Sequence, residues 1–248
     1  MRRGILVAAV GLPLTYLLDA LTFVASLWSV WRLPPLPPAE DADRPSLRSI
    51  VEGFRYVRTR QALLGIFLVD TNAMVFGMPM ALFPAFGERF GGGASTVGYL
   101  YAAPYAGALG ASILSGWVGH VRRQGLAVAV AASAWGVALV AFGYSTALWL
   151  ALLMLAAAGA ADYVSAVLRS TILLTATPDS MRGRLTGIEF AQVASAPSLG
   201  NVEAGVVASL TSLRFSVVSG GIACVAGTIA MCLLLPRFVR YDAQHPDA

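Results

Sequence analysis

Seven stretches of about twenty residues, nearly free of charge, follow one another along this chain. Each is long enough to cross the hydrocarbon core of a bilayer as a helix, which rises about 1.5 Å per residue. They run from about Ile5 to Trp31, Ala62 to Phe86, Val97 to Val118, Leu126 to Tyr144, Ala147 to Leu168, Leu185 to Leu210 and Phe215 to Leu235. Hydrophobic residues make up 57% of the 248 and charged ones 12%, against about 25% charged in a soluble domain. So few charges cannot cover a water-facing surface of this size, and a bilayer removes the need. The expected fold class is all-α: a polytopic membrane helix bundle of about seven transmembrane helices.

The connections are short, as antiparallel helices packed in sequence order require, with one exception. Residues 32–60 form a long polar segment opening on Leu33-Pro34-Pro35-Leu36-Pro37-Pro38, a stiff extended run. Beyond it Leu47, Ile50, Val51, Phe54 and Val57 recur at helical spacing, while Arg48, Arg55 and Arg58 lie largely off that face. The spacing predicts an amphipathic helix on the membrane surface. With this segment in the cytoplasm, thirteen arginines fall inside and four, Arg2, Arg3, Arg89 and Arg214, outside, a positive-inside asymmetry. The C-terminus is then cytoplasmic and the N-terminus outside, in a multi-pass cell-membrane protein. The expected organisation is a first transmembrane helix over 1–31, a cytoplasmic central loop over 32–60, six helices over 61–236 and a cytoplasmic tail over 237–248. Met1-Arg2-Arg3 runs against an outside N-terminus. A signal peptide cut near Val24-Ala25-Ser26 is one account, opposed by Asp19 in its apolar core. A simpler account is that further helices precede this segment.

All 17 basic residues are arginine, which excludes a retinal Schiff base, since that needs a lysine amine. Cys224 and Cys232 stand about 12 Å apart along one helix, too far for a disulfide, and read as packing residues. No zinc spacing, HExxH, P-loop or dinucleotide fingerprint occurs, so no metal, no cofactor and no ATP-driven pump is expected. Gly110-Ala111-Ser112 faintly resembles a serine-protease motif, but His120 falls in a loop and His245 in the tail. With no histidine in a span, an enzyme is not expected. The net charge of +4 resides in membrane-flanking loops and does not point to nucleic acid.

A series of short motifs resembles one family. Gly11-Leu12-Pro13 leading into Tyr16-Leu17-Leu18-Asp19-Ala20-Leu21-Thr22-Phe23 is similar to the sixth helix of exporters of the major facilitator superfamily, in the branch of enterobactin exporters and macrolide-type efflux proteins. The likeness continues in Ser46-Leu47-Arg48-Ser49-Ile50 with Glu52-Gly53, in Phe76-Gly77-Met78-Pro79, and in Gly98-Tyr99-Leu100-Tyr101-Ala102-Ala103-Pro104. It ends in Ala166-Val167-Leu168-Arg169-Ser170-Thr171 and in Thr177-Pro178-Asp179 with Arg182-Gly183-Arg184, and so covers nearly the whole chain in order. The family has twelve helices in two halves. The resemblance implies a partial major facilitator fold: the sixth helix, the central loop and the entire second half, with the first five helices missing. It implies proton-coupled secondary efflux of small amphipathic compounds of drug or siderophore type, with protons, a small-molecule substrate and the lipid bilayer as partners. The alternative is a remnant without transport, or a half-transporter subunit whose missing helices come from a separate chain. One departure lies in the loop from Gly116 to Gly125. Family members often carry an acid there with basic partners; here Arg122 and Arg123 stand without the acid, so a gating charge pair is not expected at that loop.

Five acids fall inside the expected spans: Asp19, Asp70, Asp162, Glu189 and Glu203. A charge at the centre of a span costs at least about 2.5–3.5 kcal/mol, so each needs a partner or a task. By the resemblance, Asp70 and Asp162 lie on helices lining the central cavity, about a third of the way in from the cytoplasmic side. A carboxylate there could bind and release a proton as the cavity alternates; a structural hydrogen bond is the other reading. Arg169 stands about 10 Å beyond Asp162 on the same helical face; it is a further candidate for coupling or for the cavity, and a snorkelling residue at the cytoplasmic boundary is the other reading. Glu189, near the membrane edge, and Glu203, toward the outer side, are further candidates for coupling or for the cavity. Asp19 and Asn72 read as structural groups bonded to neighbouring helices. Gly107, Gly110, Ala111 and Gly159 read as close-packing surfaces, and Pro79, Pro84 and Pro104 as helix bends. Thr177 is expected to cap a helix that has Pro178 at its first position. Arg182 and Arg184 are expected to meet anionic headgroups or the carbonyl ends of neighbouring helices.

Overall fold

The computed structural model describes residues 2–33 and 47–242. The proline run from Pro34 onward and the end of the tail lie outside the described residues. The chain divides into two units at residues 44 and 45. The first holds α1, Arg2–Trp31, a helix of 30 residues. Asp19 falls within α1, and the interhelical bond expected of its side chain lies outside what is described.

The second unit begins with α2, Leu47–Thr59, followed by α3, Gln61–Phe76. A 3-10 turn at Met80–Leu82 leads into α4, Phe83–Arg89, and then α5, Ala94–Ile113. A second 3-10 turn, Ser115–His120, precedes α6, Gln124–Tyr144, and α7, Leu148–Thr175. The unit closes with α8, Asp179–Leu210, α9, Leu213–Leu234, and the short α10, Pro236–Val239. No strand occurs among the described residues. Four segments are long and apolar enough to cross a membrane by length and composition: Gln61–Arg89, Gln124–Tyr144, Leu148–Thr175 and Leu213–Leu234. The helices α5 and α8 are as long but less apolar: α5 contains Pro104, and α8 contains Pro197 together with Arg182, Arg184, Glu189 and Glu203. The result is a polytopic helical membrane bundle.

Several boundaries differ from expectation. The second span is two helices, because Gly77-Met78-Pro79 interrupts it. Pro84 starts α4 in its first turn rather than bending a helix, since an N-terminal position needs no N–H from it. The helix α5 runs through Pro104 and stops at Ile113, short of Val118. The helix α8 begins at Asp179, with Pro178 as its extended N-cap at ψ 153°. Thr177 is thereby one residue too early to cap, and its buried hydroxyl has no hydrogen-bond partner among the described residues.

The interruption between α3 and α4 frees backbone groups inside a membrane-crossing segment, where each must find a partner within the protein. Trp135 Nε1 on α6 donates to the Gly77 carbonyl at 3.1 Å. Tyr101 on α5 donates its hydroxyl to the Met80 carbonyl at 3.0 Å. The Ala81 N–H donates to Asn201 Oδ1 on α8 at 2.8 Å. Three helices thus hold the break in place.

Apolar packing forms two main layers. One gathers Phe83, Phe86, Leu100, Leu139, Phe142 and Leu155, and the other Leu63, Ile66, Val69, Val128, Leu168, Ile172, Leu185 and Phe238. The early residues of α3 and the late residues of α7 share the second layer, as antiparallel neighbours do. Within the bundle α7 packs along α5 and α6, and α6 along α9. The α5–α7 contact depends on glycine. A Cβ on Gly107 would run into the Ala156 carbonyl, and one on Gly159 into that of Pro104. Gly110, expected to serve the same purpose, has nothing within 4 Å of a Cβ placed on it.

These environments predict opposite signs for one substitution. Alanine is the better helix former by about 0.8–1.0 kcal/mol, so Gly110→Ala should leave stability unchanged or raise it. Gly107→Ala and Gly159→Ala should each cost about 1–3 kcal/mol through backbone overlap. Thermal unfolding in detergent micelles reads the difference.

Candidate functional site

One helical turn from each of three helices lines a small cleft. Ile66, Phe67 and Asp70 come from α3, Arg169 and Leu173 from α7, and Glu189 and Gln192 from α8. Residues three or four apart on a helix share a face, so each helix contributes neighbouring side chains. Asp70 stands nine residues past Gln61, the first residue of α3, about 14 Å along the helix axis. It is therefore well inside the span.

Asp70 is buried, at 5% exposure. Its Oδ1 is ion-paired with Arg169 Nη1, and the two side chains are 6% and 11% exposed. Its Oδ2 accepts from Gln192 Nε2 at 2.7 Å, and the same amide nitrogen donates to the Phe67 carbonyl at 3.2 Å. Glu189 lies one turn before Gln192, half-buried on the same cleft and within electrostatic reach of Arg169. Arg169 Nε has no hydrogen-bond partner among the described residues. Asp70 and Arg169 pair directly, and Glu189 lies on the same cleft without an ion pair among the described residues, in a place where an unpaired charge is costly.

Arg169 is thus not a snorkelling boundary residue. Its side chain turns inward because Asp70, on a helix distant in sequence, offers a buried counter-charge. Gln192 was not singled out from the sequence. Its signal was an amide three residues from Glu189, on the same face of a membrane helix. Asp162 is half-buried on α7 and belongs to no hydrogen bond or ion pair among the described residues, and the same holds for Glu203 on α8. Neither lines the cleft. Asn72 donates through Nδ2 to the Cys224 carbonyl at 2.8 Å and lies 3.4 Å from Thr228 Oγ1, joining α3 to α9. The two cysteines are free thiols, with Cys224 buried.

Arg122 and Arg123 are exposed in the turn before α6. Arg182 donates to the Leu174 carbonyl at 3.3 Å, near the end of α7, and pairs with Asp179 at 2.7 Å. Arg184 donates to Glu52 Oε2 of α2 at 2.9 Å. Among the described residues no group of three or more His, Cys, Asp or Glu could hold a metal ion.

A bundle of apolar helices that holds a buried ion pair between its spans is an integral membrane protein. A family model described as transmembrane secretion effector matches residues 3–247, and the chain belongs to this family of the major facilitator superfamily. It is 30% identical over 250 residues to the enterobactin exporter EntS of Citrobacter koseri, covering 100% of this chain and 60% of the relative. Identity is 29% over 247 residues to the exporters of the same name from Escherichia coli O81 and Shigella boydii serotype 18, covering 100% of this chain and 59% of each. The chain thus spans about 60% of the length of these relatives. No solved structure gives a significant match.

The buried pair makes a distinct stability prediction. Arg169→Ala strands a buried carboxylate and should cost about 3–5 kcal/mol. Combining Asp70→Asn with Arg169→Gln removes both charges and should recover most of that loss. A double-mutant cycle on thermal unfolding in micelles measures the coupling, and additive single effects would contradict it.

Proposed function

We propose that this chain forms one side of the substrate cavity in a proton-coupled secondary exporter of small amphipathic compounds. The observation that carries the proposal is the charge count of the cleft. Asp70, Arg169 and Glu189 sum to one negative charge when all are ionised, and to zero when one proton is bound. A net charge in the hydrocarbon layer is costly, so the cluster favours holding one proton whenever water is excluded. Protonating Asp70 frees Arg169 to turn toward Glu189. That exchanges a contact between α3 and α7 for one between α7 and α8, and links proton uptake to helix rearrangement. Asp162 and Glu203 then serve as polar contacts in the cavity. Enterobactin, for which the relatives are named, is the first substrate to test. The reading is of a transporter rather than an enzyme.

A second reading is favoured by the share of the relatives that the chain matches. In it, transport needs helices beyond these 248 residues, as the longer relatives have. Both readings place Arg122, Arg123, Arg182 and Arg184 on the cytoplasmic side of the cell membrane and the Gly91-Gly92-Gly93 turn outside.

The transport test uses proteoliposomes that also contain a polypeptide supplying the preceding helices of the Citrobacter koseri relative. Export driven by a pH gradient should vanish in Asp70→Asn and in Glu189→Gln, with membrane insertion retained. Asp162→Asn should weaken substrate binding and leave coupling in place. Normal gradient-driven export in the Asp70→Asn/Glu189→Gln double variant would remove the cluster from the mechanism. Strong export by the 248-residue chain alone would exclude the second reading.

Orientation is read separately by labelling single cysteines in intact cells, in a Cys224→Ser/Cys232→Ser background. An impermeant thiol reagent should reach a cysteine at Gly93 and not one at Arg123. The reverse pattern would invert the assignment.

A further inference from the structure

The bundle accounts for only one face of α2. On that face Val57 is buried at 4% exposure, and Arg184 Nη1 donates to Glu52 Oε2 at 2.9 Å. Gly53 approaches α8 so closely that a Cβ on it would stand 2.8 Å from Ile188 Cδ1. The other face presents Ile50, Val51 and Phe54 at 47%, 65% and 53% exposure. At 3.6 residues per turn, Ile50, Phe54, Arg58 and Val51 share an arc of about 100°, with Arg55 about 40° beyond it, so that Arg58 lies among the apolar residues rather than off their face as expected. Arg55 and Arg58 are both exposed.

Two further facts identify what meets this face. Arg60 alone separates α2 from α3, and α3 opens the membrane-crossing segment Gln61–Arg89. A helix tethered by one residue to the start of a span lies at the bilayer edge, where its apolar residues meet the acyl boundary and its charges the headgroups. The second fact is the direction of charge. Glu52 is the only acid in α2, and it faces Arg184 of α8. The outward charge of the helix is therefore carried by arginine alone.

We propose that this outer face of α2 is a docking surface for anionic lipid headgroups. Ile50, Val51 and Phe54 enter the acyl boundary and would do so in any lipid. Arg55 and Arg58 add selectivity for negative headgroups, about fivefold each and about thirtyfold together. The inner face, bound to Arg184 and Ile188, ties the seated helix to α8. The proposal does not depend on the transport reading, since lipid seating is measured without substrate or gradient.

The test places an environment-sensitive fluorophore on Val51→Cys of the full chain, in the Cys224→Ser/Cys232→Ser background. Nanodiscs of phosphatidylcholine alone are compared with discs of equal parts phosphatidylcholine and phosphatidylglycerol. The label should be better shielded from aqueous quencher in the anionic discs, and high salt should reduce the difference. In Arg55→Glu/Arg58→Glu, the ratio of seated to water-exposed label in anionic discs should fall about thirtyfold or more, with thermal unfolding unchanged because both arginines are exposed. Equal seating in the two lipids, or seating indifferent to charge reversal, would mean apolar contact alone and would overturn the proposal. Shielding seen only with two chains per disc would assign the face to a second copy, also against it. A label open to water in both discs would place α2 off the membrane.

Discussion

A charged side chain in a hydrocarbon layer must bring its counter-charge with it, and the arrangement of α3, α7 and α8 follows from that constraint. Asp70 and Arg169 are both nearly inaccessible, and each makes the other tolerable. The Gln192 amide occupies the carboxylate oxygen that the guanidinium leaves open and also binds the Phe67 carbonyl. One polar knot therefore sets where three helices meet. The glycine contact between α5 and α7 fixes a different seam, by steric fit rather than charge. The two seams respond to different things. The glycine seam depends on shape alone, whereas the ion pair also depends on the charge of both partners.

Backbone groups impose the second constraint. Hydrocarbon offers no hydrogen-bond partners, so an interrupted helix is tolerable only where protein groups replace the lost bonds. Trp135, Tyr101 and Asn201 do so at the break between α3 and α4. Asn72 does related work one turn earlier, reaching the Cys224 carbonyl of α9. Large apolar residues such as Trp149, Phe190, Leu210 and Leu233 are left largely exposed. In water that surface would aggregate; in a bilayer it is the part that meets lipid.

These two constraints place the candidate site where function can use it. The cleft sits where α3, α7 and α8 converge, the three helices already tied by the ion pair and the glutamine. Glu189 adds a second carboxylate within reach of the same guanidinium. Asp162 and Glu203, without partners among the described residues, stand apart from it. Their isolation contrasts with Asp70, whose charge is answered by Arg169 and Gln192.

Hydropathy is a local property, and it was enough to establish the helical membrane class, four segments able to span and the helical α2. The ordered motifs were enough for the superfamily. The five acids of the apolar stretches were visible for the same reason, since a charge stands out in any apolar run. What hydropathy could not tell was which of those acids would meet a partner. Asp70 and Arg169 lie on helices far apart in sequence, and Asp162 shares a helix face with Arg169 yet stays outside the cleft. Pairing depends on which faces turn toward each other, and that follows from packing at Gly107 and Gly159, from the break at Gly77 to Pro79, and from the glutamine on α8. The sequence by itself determined that charges had to be accommodated in the membrane. Only the tertiary structure decided that Asp70 would meet Arg169 and Gln192, with Glu189 on the same cleft, because a counter-charge counts most at contact distance.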